Sequence, residues 1–460
     1  MDKKQTAQAI LAVRAYTERA CREKGAALGV YVATFGCQQN EADSERLLGL
    51  SLAMGYTEVA TPEEAALILV NTCAIREHAE LKTLSVIGTF KKIKEKNPSL
   101  IIGVCGCMTA EAHRVDELRH RYPYVDFTLT PAAIGLLPEA LLDRISGGKR
   151  RFYTDTRDTV LDPLPVSRGG AHRAWVSIMY GCNNFCSYCI VPYVRDRERS
   201  RPSADVIVEV EALVAEGAKD ITLLGQNVNS YRSDMDFPAL LSRLDEIPGE
   251  YILRFMTSHP KDASDALIDV LARAVHVEPH FHLPLQSGSD RVLSRMNRRY
   301  TMEKYMSVVS RLRSVRPDIA LSSDMIVGFP GETEEDFEAT LTALREIRFD
   351  SVYSFIYSPR RGTPAAEMAD QVPADVQSER FSRLLSLQAD IGKELNLALV
   401  GRDVRVLIDG ASKTDPTVYS GRTDAGKLVH VAAVPDKIGK FVTVHIDRAE
   451  SFALYGTVLS

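Results

Sequence analysis

No run of about eighteen consecutive apolar residues occurs anywhere in the 460-residue chain, so no membrane-spanning helix is expected. The first twenty-five residues also lack an apolar core. They form a polar, mixed-charge segment in which Ile10, Val13 and Tyr16 mark a helical stripe, and no secretory signal is read there. A cytoplasmic setting is therefore expected, one that keeps thiols reduced, so the eight cysteines are not read as disulfides despite their even number. A strong excess of one charge is missing too. At a formal −5, bulk electrostatics select no polyanionic partner, and any nucleic-acid contact has to come from local basic patches. What the composition does supply, 45% hydrophobic and 25% charged residues, is ample material for buried cores. The length leads us to expect about three domains.

A fourth metal ligand is absent where it would matter most. Cys182, Cys186 and Cys189 are spaced C-x3-C-x2-C in one short loop, and the nearest histidines are His172 and, far downstream, His259. Three thiolates are one too few for a closed tetrahedral zinc site. They are the right number for a cubane iron–sulfur cluster that leaves one iron open to a small molecule, which can then take an electron from it. The competing readings are a structural zinc and a plain thiol loop, and the missing ligand counts against the first.

From Gly29 the chain alternates apolar β-rich runs with amphipathic helical stretches. Strands are expected at 30–35, 67–71, 101–104 and 125–129, with helices at 41–54, 77–96 and 110–120. That alternation predicts a doubly wound parallel sheet, whose ligands bind beyond the carboxyl ends of the strands. Cys37, Cys73 and Cys107 follow the first three strands and are expected to meet at one rim, where they could bind a second cluster that also lacks a fourth protein ligand. Cys105 closes its strand and reads as a small buried apolar residue; Cys107, after Gly106, reads as the ligand. Cys21 reads as structural or idle.

Residues 149–170 read as a linker, from their charge, prolines and Gly169-Gly170. A second βα series follows over 171–400, with six expected strands beginning near Trp175, Ile221, Ile252, Phe281, Ile319 and Val352. Six such units predict a partial (β/α)6 barrel with its site at the strand carboxyl ends. Polar residues collect there: Gln226, Asn227 and Asn229; Ser258 and His259; Gln286 and Ser287; and Gly328 with Glu332. His259, before Pro260, serves equally well as a turn cap, and Gly328 as a plain backbone turn. Basic groups that could meet a polyanion are Arg195, Arg197, Arg199 and Arg201, Lys91 to Lys96, Lys149 to Arg151, and Arg298 with Arg299.

Beyond a helix at 377–398 come short strands at 404–408, 427–431, 442–446 and 453–458, the third with clean period-two alternation. A small antiparallel β-barrel of the OB-like kind is expected over 401–460. That segment has eight Lys or Arg against seven acidic residues, so RNA binding would need a local patch of Lys413, Tyr419, Arg422 and Lys440.

The Cys182–Cys189 loop is similar to that of the radical S-adenosylmethionine (SAM) enzymes. The runs Thr34-Phe-Gly-Cys-Gln-Gln-Asn40, Asn71-Thr-Cys-Ala-Ile-Arg76, Ile190-Val-Pro-Tyr193, Thr257-Ser-His-Pro260 and His282-Leu-Pro-Leu-Gln-Ser-Gly288 resemble the methylthiotransferases. Leu223-Leu-Gly-Gln-Asn-Val-Asn229 resembles the branch acting on isopentenyl-adenosine in tRNA, and the C-terminal segment resembles the TRAM RNA-binding domain. The likeness runs from about residue 29 to the end and leaves out residues 1–28, a helical extension. Phe35 and Gln39 depart from it, where the family usually shows Tyr and Met. The resemblance implies a domain over 29–148 with an auxiliary 4Fe–4S cluster on Cys37, Cys73 and Cys107 that carries the inserted sulfur. It implies a second 4Fe–4S cluster on Cys182, Cys186 and Cys189 that would bind SAM through its open iron; strand position alone puts Gln226, Asn227, Ser258, His259, Gln286, Gly328 and Glu332 near that SAM. A deoxyadenosyl radical from SAM would take hydrogen from C2 of the adenine, and a second SAM would methylate the sulfur. A tRNA anticodon stem-loop, a flavodoxin- or ferredoxin-like electron donor, a sulfur donor and a monomeric state are the implied partners. Sister branches acting on threonylcarbamoyl-adenosine or a ribosomal protein, and a non-catalytic iron–sulfur RNA-binding module, are the alternatives.

Overall fold

The computed structural model describes residues 3–74, 77–153, 164–170, 172–412 and 415–459. Ile75, Arg76, Ala171, Lys413 and residues 154–163 of the expected linker lie outside these. The described chain divides into two compact units. One takes the chain up to Gly169 together with Tyr180–Asn183 and Ile190–Ser200; the other takes Gly170–Met179, Asn184–Cys189 and Arg201 onward. Among the described residues no helix is long and apolar enough to cross a membrane.

In the first unit, β1 (Gly29–Thr34), β2 (Thr57–Glu58), β3 (Ala65–Thr72), β4 (Ile101–Gly106), β5 (Phe127–Leu129) and β6 (Arg151–Tyr153) form one sheet. The order is β2-β1-β3-β4-β5-β6, and every neighbouring pair is parallel. Helices α1 (Lys3–Lys24), α2 (Gln38–Ala53) and α5 (Leu137–Ile145) cover one face, and α3 (Glu77–Lys96) and α4 (Ala112–Arg121) the other. Successive side chains of a strand point to opposite faces. Leu67 and Leu69 of β3 thus join Val13, Leu47 and Leu141 in one core, while Ile68 and Val70 join Leu84, Ile87 and Leu118 in the other. This is the expected doubly wound sheet.

Two edge strands escape the sequence pattern. β2 has only two residues, and the charge of β6 reads as linker. Its basic Arg151 is held over the Tyr153 ring at 4.8 Å from the centroid, and Arg150, just before the strand, over that of Phe152 at 5.1 Å. The order also creates a switch point. From β1 the chain steps outward to β2, and from β3 onward it advances on the other side, so a ligand site is favoured between the carboxyl ends of β1 and β3.

The second unit opens with two three-stranded parallel sheets. β7 (Arg173–Ser177), β8 (Asp220–Leu224) and β9 (Ile252–Phe255) form one; β10 (His280–His282), β11 (Ala320–Val327) and β12 (Ser351–Ile356) form the other. Val176, Leu223, Phe255, Phe281, Leu321 and Met325 share one core, which makes the six strands the expected partial barrel. Helices α6 (Ser203–Ala215) and α7 (Glu334–Ile347) are among those that wrap it. The last begins with a capping box: Thr333 accepts from the Asp336 N–H, and Asp336 accepts from Thr333.

After α8 (Ala374–Leu397), strands β13 (Asp403–Ala411), β14 (Val418–Thr423), β15 (Leu428–Ala432), β16 (Phe441–Ala449) and β17 (Leu454–Val458) close into a barrel in the order β13-β14-β15-β17-β16. The pairing is antiparallel except between β15 and β17. β14 is hidden from the sequence pattern by Gly421, at which a Cβ would lie 2.5 Å from the Leu407 carbonyl oxygen of the neighbouring strand. Close approach of backbones excludes a side chain there. Lys427 ties this barrel to the larger one through Asp350 at 2.6 Å.

Candidate active site

Cys37, Cys73 and Cys107 sit directly beyond the carboxyl ends of β1, β3 and β4, neighbouring strands on either side of the switch point. Cys37 is the N-cap of α2, so partial positive charge from the helix end lies beside its sulfur. Two amides hold that corner. Asn40 donates to Asn71 Oδ1 at 3.2 Å and to the Thr72 carbonyl at 3.0 Å, while Asn71 donates to the Asn40 carbonyl at 2.8 Å and to Ser44 Oγ at 2.9 Å. Gly106, at φ +97°, turns the chain off β4 so that Cys107 faces the rim. A Cβ there would lie 2.3 Å from the Thr72 carbonyl oxygen.

Burial pushes the Cys107 thiol up to about 12; the Arg195 guanidinium opposes this, and Cys73 and Cys37 add to it. The Cys107 sulfur therefore lies close enough to those of Cys73 and Cys37 to be influenced by them. As a free thiol Cys107 would be unreactive at neutral pH, whereas a bound iron would remove its proton outright. Among the described residues no set of three or more His, Cys, Asp or Glu side chains converges as a single ion would require. A cubane asks for something else, with each thiolate facing its own iron. The donor set fits that group. Cys105, fully buried among Leu67, Leu69 and Leu129, points into the core beneath α2.

The structure corrects the reading of Arg195 as an RNA contact. Its side chain is 5% exposed; one nitrogen donates to Asp43 at 2.8 Å and Nε donates to Cys107 Sγ at 3.1 Å. Ile190 and Val194 pack with Ala74 and Cys107 beside it. Arg197 is exposed; Arg199 is half-buried and donates to the Arg195 carbonyl at 3.3 Å. Arg201 is held by the Ser177 carbonyl and Glu209.

In the cysteine loop, Gly181 (φ +76°) lets the backbone pass the Arg197 carbonyl, which would lie 2.0 Å from a Cβ, and Cys182 N–H donates to the Asp196 carbonyl at 3.1 Å. In the second unit, Cys189 N–H turns back onto the Cys186 carbonyl at 2.9 Å, and Cys186 Sγ accepts from Arg298 Nη1 at 3.4 Å. Arg298 belongs to the basic pair that sequence offered as a polyanion patch, yet it is buried, so that reading is corrected as well. Its other nitrogens donate to the Pro284 carbonyl at 2.8 Å and to the Tyr300 hydroxyl at 3.2 Å. The edge of the His259 ring meets Tyr300 with centroids 5.6 Å apart. Cys186, Arg298, Tyr300 and His259 thus form one continuous line of contacts.

The barrel rim next to that line is built by a reciprocal clamp. Asn229 donates to the His259 carbonyl and accepts from the His259 N–H, both at 2.9 Å, so the loops after β8 and β9 move as one. Asn227 donates to Asp262 at 2.9 Å. Three buried polar atoms of this rim have no hydrogen-bond partner among the described residues: Asn227 Oδ1, Ser258 Oγ and His259 Nε2. Buried polar groups are seldom left so, and a small polar ligand would satisfy them. His259 both caps a turn, accepting from Lys261 N–H at 3.2 Å through Nδ1, and turns Nε2 toward the rim. Burial and the neighbouring Arg298, Lys261 and Arg299 charges push its pKa down to about 2, so the ring is neutral. With Nδ1 accepting, the proton resides on Nε2, which is then a donor.

Gln226 follows β8, half-buried. Gln286 sits in the left-handed region at φ +73°, bridged to Met325 of β11. Such strain is held at functional corners. Gly328 and Glu332 are joined to each other within the fold. The Glu332 carboxylate accepts from Gly328 N–H at 3.0 Å and from Arg380 Nη1 at 2.9 Å, so the fold itself uses both. In the small barrel Arg422 and Lys440 are exposed. Tyr419 packs half-buried on the barrel core; three residues from Arg422 on one strand, it faces the other way. Asp43, Asn40 and Tyr300 are functional neighbours that sequence did not indicate, because only folding brings them to the cysteines.

Three family models match the chain: the Radical SAM superfamily over residues 176–344, the Uncharacterized protein family UPF0004 over 29–130, and the TRAM domain over 397–459. The chain is 48% identical over 434 residues to a tRNA-2-methylthio-N(6)-dimethylallyladenosine synthase of Alkaliphilus oremlandii, covering 93% of this chain and 92% of the relative. It is 46% identical over 433 residues to the enzyme of that name from Acetivibrio thermocellus, covering 93% and 90%. Among solved structures, a radical S-adenosylmethionine methyltransferase, TsrM, from Kitasatospora setae shares the fold at a TM-score of 0.55 and 15% identity over 74% of each chain. With three matching modules in one order and close relatives along nearly its whole length, the chain belongs to the tRNA-2-methylthio-N(6)-dimethylallyladenosine synthase family of radical SAM methylthiotransferases.

Proposed function

We propose that the protein converts N6-isopentenyladenosine next to the tRNA anticodon to its 2-methylthio derivative. One 4Fe–4S cluster is assigned to Cys182, Cys186 and Cys189, and a second to Cys37, Cys73 and Cys107. The observation that carries the reading is the second trio, whose cysteines follow the carboxyl ends of three neighbouring strands at the switch point of an open α/β sheet. When bound, the two groups supply the electron that cleaves SAM and the sulfur that is inserted.

The chain's own part is binding, orientation and exclusion of water. Asn227 Oδ1 offers an acceptor, His259 Nε2 a donor and Ser258 Oγ a hydroxyl to SAM, and the Asn229 clamp fixes their spacing. Gln226 and Gln286 flank that rim and are assigned to the same ligand. Arg197, Arg199, Arg422 and Lys440 are assigned to tRNA phosphates, while Tyr419, which packs on the barrel core, is left out of that patch. A loop nucleotide suits such a site, because sequence-specific RNA recognition operates mostly on unpaired bases. A flavodoxin- or ferredoxin-like electron donor, a sulfur donor, a cytoplasmic setting and a monomeric state complete the proposal, as do domains at 29–148, 171–400 and 401–460.

The test is incubation of the reconstituted, reduced protein with SAM and tRNA lacking the modification, followed by mass analysis of nucleosides. A methylthio-isopentenyladenosine product is expected. Modification of threonylcarbamoyl-adenosine or of a ribosomal protein alone would move the chain to a sister branch. Absence of deoxyadenosine would leave the non-catalytic RNA-binding reading.

A further inference from the structure

Arg298 is a buried cation without a carboxylate. Its residue is 4% exposed, and its partners are the Pro284 carbonyl, the Tyr300 hydroxyl and Cys186 Sγ. Among the described residues no acidic side chain pairs with it. Elsewhere the fold does not leave guanidinium groups in this state. Buried Arg195 has Asp43, buried Arg254 has Asp220 and Glu278, and buried Arg380 has Glu332. A charge in a dry interior costs several kcal/mol unless something of opposite sign stands beside it. Two neutral oxygens do not supply that sign. Its weakly acidic neighbours among the described residues are the Tyr188 and Tyr300 phenols, which burial keeps protonated, and the thiol of Cys186, whose sulfur becomes anionic when the protein is loaded.

We propose that Arg298 is a positioning residue that carries the counter-charge of the cluster held by Cys182, Cys186 and Cys189, and that its N–H donated to Cys186 Sγ raises the reduction potential of that cluster. The inference rests on the assignment of that trio under Proposed function and adds to it the group that tunes it. Hydrogen bonds to cluster sulfurs and nearby charge are the levers by which a protein sets such potentials. Arg195 supplies a built-in contrast. It donates to Cys107 Sγ in the same way, but Asp43 cancels its charge, so its influence on the auxiliary trio is a hydrogen bond without net charge. Tyr300 holds the guanidinium plane from the side, its hydroxyl donating to the Leu285 carbonyl at 2.7 Å.

The test uses full-length protein carrying Cys37→Ala, Cys73→Ala and Cys107→Ala, so that a single cluster is read, with Arg298→Met, Arg298→Lys and Tyr300→Phe added in turn. After anaerobic reconstitution, iron is counted and the midpoint potential is read by electron paramagnetic resonance without SAM. Arg298→Met is expected to shift the reduced-to-oxidised ratio at fixed potential at least tenfold toward oxidised, which is 59 mV for one electron. Arg298→Lys is expected to recover most of the shift, and Tyr300→Phe to change it little. An Arg298→Met protein with full iron and an unchanged midpoint overturns the inference, including the case in which it loses only SAM affinity. If Arg298→Met takes up no cluster, Arg298→Gln is compared with Arg298→Lys. Iron in the lysine protein alone upholds the charge role, and iron in neither, or in both with equal midpoints, overturns it. Lack of iron in the unsubstituted triple-alanine control overturns the trio assignment itself, and this inference with it.

Discussion

Asp43 of α2 and Arg195, 152 residues later, form an ion pair at 2.8 Å with side chains only 2% and 5% exposed, and the same guanidinium touches Cys107 Sγ. Gln39, where the family usually has Met, donates to the other oxygen of Asp43 at 3.3 Å. The pair therefore fixes the segment after the cysteine loop to the rim that carries Cys37, Cys73 and Cys107. Removing one partner leaves the other buried and uncompensated. Asp43→Ala is expected to destabilise the first unit by about 3–5 kcal/mol in urea unfolding, and Asp43→Leu with Arg195→Met together by much less. A double variant as unstable as the single one would show that packing, not charge, holds the segment.

Asn229 and His259 make the second fixed joint. Truncation to Asn229→Ala leaves the buried His259 N–H without a partner, at about 1–3 kcal/mol if water cannot reach it, while the His259 carbonyl keeps the Asp262 N–H at 3.0 Å. The rim atoms Asn227 Oδ1 and Ser258 Oγ keep their chemistry but lose their registration. SAM affinity, read by calorimetry, is expected to fall at least tenfold while iron content stays unchanged.

Cys105 and Cys107, two residues apart, divide cleanly. Cys105 lies in the core with Leu67 and Leu129, and Cys107 lies at the rim beside Arg195. After reconstitution Cys107→Ser is expected to retain about half of the wild-type iron, that of one cubane of two. Cys105→Ser is expected to retain all of it and to lose stability, since it sets a hydroxyl in an apolar core.

The architecture was largely legible because its signals are local. Apolar runs such as Leu67–Val70 can only be strands covered on both faces, and glycine-marked strand ends locate the rims, so the three cysteines could be placed at strand ends without coordinates. The electrostatic partners were not legible. Arg195 and Arg298 look in sequence like members of basic patches, and their burial follows from contacts with Asp43 and with Tyr300 and Pro284 that no short-range pattern encodes. Glu332 was legible as a corner residue after a glycine turn, but its distant partner was not: its carboxylate closes that turn and also holds Arg380. β14 was invisible because Gly421 breaks the alternation by which the other strands of the small barrel are recognised.

His259 gives the second unit a dependence on acid. Its folded-state pKa, held down to about 2 by burial and three flanking cations, lies far below the 6.5 of an unconstrained histidine. Between those values the unfolded chain binds a proton that the folded chain does not, so stability is fully present above pH 6.5 and falls as the pH drops below it. One pH unit is worth 1.36 kcal/mol for a single group, so moving from pH 7.5 to pH 5.5 is expected to cost about 1.4 kcal/mol through this residue. His259→Gln, which cannot take up the proton, is expected to flatten that part of the profile while leaving the Asn229 clamp to the backbone in place. Urea unfolding of both proteins at the two pH values measures the difference. Equal losses in the two would mean that His259 is protonated in the folded state after all, and its Nε2 would then be a charged donor rather than the neutral one assigned to the SAM rim.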